Sequence, residues 1–308
     1  MTLNEYLGNN ENLVVADSQD RCFELLRNCV EVGYSFRGVA DARHQLLSSL
    51  DLYGPTLKAQ QENYLVREFR RRLHHYLGVE HAPTTTFELL ALMQHYRVPT
   101  KLLDFSRSPY VALYFAVYDM KGEIDSAIWA VLPQNLHVRS RKKLVEAQFP
   151  YQLRTDVYFS EQFVEEKYFS EAFMNHRYGV AMLLQPELMN ERLSVQQGIF
   201  LVTDGVEIER SAYPVENVGE FQTVEETLLD LMTEPGKRAL VQGGSDPTLL
   251  KILIPGALKR PLMKALELMN INACSLFPGL DGFARYIKEK VQTMSGVEMA
   301  PYIFGHWK

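Results

Sequence analysis

The chain is poor in cysteine. Cys22, Cys29 and Cys274 make an odd count with neither CxxC spacing nor the even pattern of a disulfide framework. Cys22 and Cys29 stand two helical turns apart, so they share one face and are expected as core thiols in a reducing compartment. Positive charge is not in excess: 32 Lys and Arg stand against 38 Asp and Glu, for a formal net charge of −6. That removes a global pull toward nucleic acid and leaves only local basic patches. No apolar run approaches the length that spans a bilayer. Met1-Thr2-Leu3-Asn4-Glu5 lacks the basic start and apolar run of a signal peptide, so a soluble, cytoplasmic protein without membrane contact is expected. GxSxG, the P-loop and a GxGxxG after a strand are missing, as is HExxH. His74, His75, His81 and His95 have no zinc spacing and no cysteine nearby, so no metal is expected. No Gly- or Ser-rich linker divides the 308 residues, which points to a single domain over 1–308 with residues 1–30 as an N-terminal helical extension.

What is present centres on Gln94–Ala116, QHYRVPTKLLDFSRSPYVALYFA. Gln94-His95-Tyr96 closes a helical pattern that Pro99 breaks. Lys101–Phe105 is long enough for a strand. Ser108 can cap a helix and Pro109 suits its first position. The following Val111–Ala116 run is apolar all round, which implies burial. The stretch therefore reads as strand, polar corner, buried helix, with backbone N–H groups at the corner suited to an anion. Asp104 lies among apolar neighbours and needs a partner. It either ties the corner together or belongs to a ligand site.

Around this stretch, Asp17 or Ser18 starts a helix to about Val30, ended at Gly33. Tyr34-Ser35-Phe36-Arg37 alternates as a half-buried strand, and Gly38 permits a turn or a close backbone approach. Arg37 can grip an anion or pair with a carboxylate, Asp104 being the obvious one. Leu57–Leu77 reads as an amphipathic helix whose arginines form a solvated face, with a nucleic-acid stripe as the weaker reading. Thr85-Thr86-Phe87-Glu88 is a capping box. Asp125–Leu132, Val180–Leu184, Ile199–Val202 and Leu249–Ile254 read as strands. Arg139–Phe149, Glu225–Met232, Leu258–Met269 and Phe283–Val291 read as helices. Tyr151–Tyr178 reads either as a lid or as helices packed on the sheet. Glu191–Gly198 forms a third polar corner. The fold class expected is α+β, a central mixed sheet with packed helices and a helical N-terminal portion.

Two separated motifs resemble the FRG-domain family. One is Phe36-Arg37-Gly38. The other is His95-Tyr96-Arg97-Val98-Pro99-Thr100-Lys101-Leu102-Leu103-Asp104-Phe105-Ser106, followed by the Pro-led Ala-Leu-Tyr-Phe-Ala helix. The chain departs from the family pattern at Arg97 for glycine, Lys101 for arginine and Phe105-Ser106 for Trp-Thr. Arg192 ahead of Gln197-Gly198 is similar to a further family segment. The layout of an arginine strand, a hydroxyl corner, aromatics and a late acidic or amide position is similar to ADP-ribosyltransferases. The resemblance implies an NAD-consuming or ADP-ribosyl-transferring effector in bacterial defence, with NAD as substrate. The catalytic candidates are Arg37, Asp104, Ser106, Glu191 and Gln197. The ligand-binding candidates are Gly38, His95, Tyr96, Thr100, Lys101, Tyr114 and Gln196. Gln196-Gln197 stand where such chemistry needs a glutamate, and Glu191 is the substitute. Two other readings stay open: a non-catalytic sensor of a small nucleotide or a nucleic acid, and a phosphodiester-cleaving enzyme using His95 and Asp104 as acid and base.

Overall fold

A computed structural model describes residues 13–53, 58–77, 82–119, 124–156, 159–205, 207–208, 220–233 and 247–293. The first residues and His81, named above, lie outside them, as does a polar loop expected at Gly236–Asp246. In chain order the elements are β1 (Leu13–Val15), α1 (Gln19–Val32), β2 (Ser35–Val39), α2 (Lys58–Leu73), α3 (Thr86–His95), β3 (Leu103–Ser106), α4 (Pro109–Val117), β4 (Ser126–Val131) and α5 (Pro133–Glu146). Then come α6 (Glu166–Phe173), β5 (Ala181–Leu184), α7 (Glu191–Val195), β6 (Gly198–Thr203), β7 (Glu207–Ile208), β8 (Glu220–Phe221) and α8 (Val224–Thr233). β9 (Leu249–Ile254), α9 (Lys259–Leu268), α10 (Ala273–Leu276) and α11 (Leu280–Thr293) complete the order. Seven strands form one mixed sheet in the order β1-β9-β4-β2-β3-β6-β5. The α+β class is as expected.

The local signals act where the sequence puts them. Ser18 caps α1 by accepting from the Arg21 N–H, and Gly33 closes that helix at φ 100°. Thr85 and Glu88 form the capping box of α3. Ser108 caps α4, with Pro109 in its first turn. Several boundaries and roles differ from expectation. The N-terminal stretch is not helical throughout, because β1 pairs in parallel with β9 and makes it part of the sheet. The run at Lys101 enters the sheet only at Leu103, since Thr100 and Lys101 are drawn into other bonds. Residues 159–173 are a 3-10 turn and α6, packed on the sheet through Phe163, Phe169 and Phe173. α5 begins at Pro133, and Ser140 and Leu144 on its inner side are buried. Cys274 lies in the short helix α10 and is exposed; Cys22 and Cys29 are buried, as expected of core thiols. Burial pushes the Cys22 thiol up to about 12, which leaves it unreactive.

Both β3 and β4 run antiparallel to β2, which lies between them. The strand, helix, strand unit is therefore parallel in direction but never pairs with itself. Strand alternation then sorts side chains by face. One face carries Phe36 of β2, with Ile128 and Ala130 of β4, under α1, α4, α9 and α10. Further along the same face, Met182, Leu184, Phe200 and Val202 pack under α3 and α6. Between these two helical layers lies β3. Its Ser106 is in register with Phe36 and Gly198, and its Asp104 with Phe200. The opposite face buries Leu103, Phe105, Trp129, Val131 and Leu201 under α8 and Leu136 of α5.

Two close contacts hold this arrangement. A Cβ on Gly38 would lie 1.8 Å from the Ala112 carbonyl oxygen and 2.7 Å from the Ala116 nitrogen, so α4 rests directly on the β2 backbone. At the far edge, α5 takes the place of a further strand. His137 Nε2 accepts from the Leu183 N–H at 3.3 Å, and Ser140 Oγ accepts from the Ala181 N–H at 3.1 Å and donates to the Ala181 carbonyl at 2.6 Å. These bonds satisfy the edge groups of β5 that would otherwise be open.

Gly38→Ala is expected to cost at least about 2 kcal/mol, because α4 backbone must move to admit the methyl group. A lowered urea midpoint with an unchanged m-value checks it. Burial pulls the His137 imidazole down to about 4 from 6.5. The folded state binds this proton less readily than the unfolded chain. The His137 contribution is therefore complete above pH 6.5 and is lost as pH falls toward 4, at up to about 1.4 kcal/mol per pH unit. His137→Gln keeps an acceptor and does not titrate, so its stability should fall less steeply between pH 6.5 and 4 in parallel urea titrations.

Candidate functional site

Asp104 projects from β3 into the seam between the two helical layers, and it is exposed. Gln94, at the end of α3, donates from Nε2 to Asp104 Oδ1 at 2.9 Å. The Thr100 hydroxyl donates to Gln94 Oε1, which fixes the amide so that its NH₂ faces the carboxylate. Oδ2 accepts no hydrogen bond among the described residues. From β2, Arg37 Nη1 donates to the Asp104 main-chain carbonyl at 2.6 Å. β2 and β3 share a single register pair, Phe36 with Ser106, and the guanidinium bridges the strands beyond it. Burial lowers the Arg37 pKa and the Asp104 charge raises it, with burial the larger effect.

Arg192 of α7 completes the group. Burial lowers its pKa, Asp104 raises it, and the nearby Arg285 and Arg97 lower it again. Its guanidinium lies 5.0 Å from the centre of the Phe277 ring, and that of Arg285 lies 4.5 Å from the same ring. The seam thus holds the Asp104 carboxylate, with Asp281 at its border, beside the Arg192, Arg97 and Arg285 guanidinium groups. Such a set suits a ligand carrying both phosphate and a polar sugar edge: arginines take the phosphate and the carboxylate takes a hydroxyl. Among the described residues no group of three His, Cys, Asp or Glu side chains is placed to hold a metal.

The remaining candidates divide three ways. Ser106, Gln196 and Gln197 do meet, but largely through their own bonds. Ser106 Oγ donates to the Gln196 carbonyl at 2.7 Å, the Arg107 N–H donates to the Gln197 carbonyl at 2.9 Å, and Gln196 Nε2 donates to the Leu276 carbonyl at 2.9 Å. Thr100, Lys101 and Tyr114 are buried. Lys101 Nζ lies 2.8 Å from Glu62 Oε2 and also bonds the Phe173 carbonyl. Burial pushes the Glu62 carboxyl up, but Lys101 and His176 together outweigh it and hold it low. Tyr114 donates to Glu289 Oε1 at 2.6 Å, so its ring is not a surface for stacking. His95, Tyr96 and Glu191 are exposed; His95 packs edge-on against Tyr96 at 5.0 Å, and no hydrogen bond joins it to Asp104 among the described residues. Gly38 serves the α4 contact described above.

Arg37 also stands on the face opposite Ser106, since its register partner is Trp129 while that of Ser106 is Phe36. The expected cleft combining the Arg37, Ser106 and Gln197 side chains is therefore replaced by the Asp104 seam. Arg97 and Arg285 had no sequence signal as site residues. Gln94 and Arg192 lay in segments already singled out.

A second concavity of about 1160 Å³ opens at the ends of β3, β4 and β5, lined among others by Tyr34, Arg107, His137, Arg141, Phe159 and Glu187. None of the residues picked from the sequence lines it. Arg107 belongs to the polar corner, whereas Gln134, His137 and Arg141 form one face of α5 whose helical spacing could have marked them together.

Fold and seam define an α+β protein with a mixed sheet and a polar site between two helical layers. The family model described as FRG domain matches residues 33–124, so the chain carries an FRG domain there. That span includes Arg37, Gln94 and Asp104, while Arg192 reaches the seam from outside it. No curated protein and no solved structure matches the chain. No helix among the described residues is long and apolar enough to cross a membrane.

The Arg97 backbone explains a departure from the family pattern. It sits at φ 63°, with Arg97 N–H donating to the Gln94 carbonyl at 2.9 Å and Val98 N–H to the Met93 carbonyl at 2.9 Å. This is the left-handed helix stop that glycine favours. Arg97→Gly is expected to raise stability by about 1 kcal/mol. An increase in the urea midpoint checks it.

Proposed function

We propose that this FRG-domain chain acts on an NAD-type dinucleotide in the Asp104 seam. The observation that carries the reading is the exposed Asp104 carboxylate, steadied by Gln94 on one oxygen and faced by Arg192, while Arg37 anchors the Asp104 main-chain carbonyl from the other side of the sheet. Asp104 supplies the carboxylate that the Gln196-Gln197 corner lacks. Arg192, with Arg97 and Arg285 near it, holds the pyrophosphate. Tyr96, 59% exposed, offers its ring to the nicotinamide. Asp104 accepts from a ribose hydroxyl and stabilises positive charge developing at the anomeric carbon. The bond from that carbon to the nicotinamide nitrogen breaks, and its electron pair leaves with nicotinamide. A water oxygen or an acceptor nucleophile forms the new bond and gives up its proton.

A second reading places a nucleotide without turnover in the strand-end cleft. Its support is the cleft volume of about 1160 Å³ and the cationic Arg107 and Arg141 on its walls.

Incubation of the purified chain with NAD, read as nicotinamide release and as thermal shift, separates the two. The seam reading expects release, a fall of at least about 100-fold for Asp104→Asn with the shift retained, and a weakened shift for Arg192→Ala. The cleft reading expects a shift without release, lost in Arg141→Ala and kept in Asp104→Asn. Absence of both release and shift refutes the seam and the cleft as NAD sites.

A further inference from the structure

The last described helix has an apolar side that no other described element covers. On α11, Leu280, Phe283, Ile287 and Val291 are 80%, 49%, 48% and 58% exposed. They recur at helical spacing and form one stripe. The inner side of the same helix is occupied. A Cβ on Gly282 would lie 1.8 Å from the Phe277 carbonyl oxygen, Tyr286 donates to Glu267 Oε1 at 3.1 Å, and Lys290 pairs with Glu267. At the end of α9, Leu268 and Met269, next to Glu267, are also exposed, at 91% and 49%. A contiguous apolar surface of this kind marks an interaction site.

Charge decides the partner. Asp281 and Lys288 lie two turns apart on the same flank of the stripe. Asp281 has only a loose contact with Arg285, at 3.7 Å, and Lys288 has no partner among the described residues. When two helices pack antiparallel, the same flank of each faces the other. Asp281 of one copy then meets Lys288 of the other, and the reverse pair forms at the far end. Parallel packing would set the flanks apart and leave both pairs unmade. Like-to-like complementarity under a two-fold axis is the signature of an isologous interface.

We propose that two copies of this chain associate through α11, packed antiparallel, with the Leu280–Val291 stripe at the centre and two Asp281–Lys288 pairs at the rim. The interface borders the Asp104 seam, because Asp281 lies 3.7 Å from Arg285 and its charge acts on Arg192.

Sedimentation equilibrium of the full chain over a wide concentration range tests this. The expected result is a reversible dimer. Ile287→Glu should yield a monomer with an unchanged thermal melt. Asp281→Lys and Lys288→Asp should each weaken dimerisation about tenfold, and the double exchange should restore it. A wild-type monomer at about 0.2 mM overturns the proposal. So does a dimer indifferent to Ile287→Glu, or a monomer that dimerises only after deletion of residues 294–308, which would make that segment the occupant of the stripe.

Discussion

One close approach of helix backbone to strand backbone sets the geometry of the corner beside it. Gly38 lets the α4 backbone rest on β2, where a methyl group would overlap the Ala112 carbonyl oxygen. α4 follows β3 through the Ser106-Arg107-Ser108 corner, so fixing α4 fixes the corner and the direction in which β3 presents Asp104. Phe36 and Arg37 flank that glycine with separate tasks: one fills the core, the other bridges β2 to the Asp104 carbonyl. The three residues of the family motif thus read first as scaffold. Their effect on function passes through the position of a neighbouring strand.

The second helical layer is held by a different interaction. Lys101, 1% exposed, pairs with Glu62 at 3% and bonds the end of α6 through the Phe173 carbonyl. A buried ion pair has a modest net stabilising effect, but loss of one partner leaves a buried charge without compensation. The pair therefore specifies where α2 and α6 sit relative to β3. In the same short segment the Thr100 hydroxyl orients Gln94 toward Asp104. Thr100 to Leu103 are buried and Asp104 is exposed, so one segment serves as core anchor and site wall.

Much of the framework was legible in the sequence because its signals are local. Ser18, Thr85, Ser108 and Gly33 act within a few residues of themselves, and each stands at the boundary its chemistry favours. The strand at Leu249–Ile254 is given by its apolar run alone. The site was legible in part. Arg37 and Asp104 were paired on chemical grounds, although the bond runs to a carbonyl and not to the carboxylate. Which face of the sheet a residue takes depends on register with strands far away in the chain, and no local pattern encodes that. Hence Arg37 was grouped with Ser106, from which the sheet separates it. Lys101, Tyr114 and Thr100 looked like ligand residues because polar groups near a corner do, and their partners, Glu62, Glu289 and Gln94, come from helices whose docking the sequence does not display. Arg285 at the seam was hidden for the same reason.

The strand order has a consequence for the unit that the family match outlines. Residues 33–124 contribute β2 and β3, the fourth and fifth ribbons of the seven. Their flanking ribbons, β4 on one side and β6 on the other, are encoded downstream of the match. A gene fragment trimmed to the matched span would yield a two-ribbon torso stripped of both shoulders, with Phe105 parted from Trp129, Ile199 and Leu201. The recognisable part of the sequence is thus the keystone of an arch, and its voussoirs are written elsewhere in the chain.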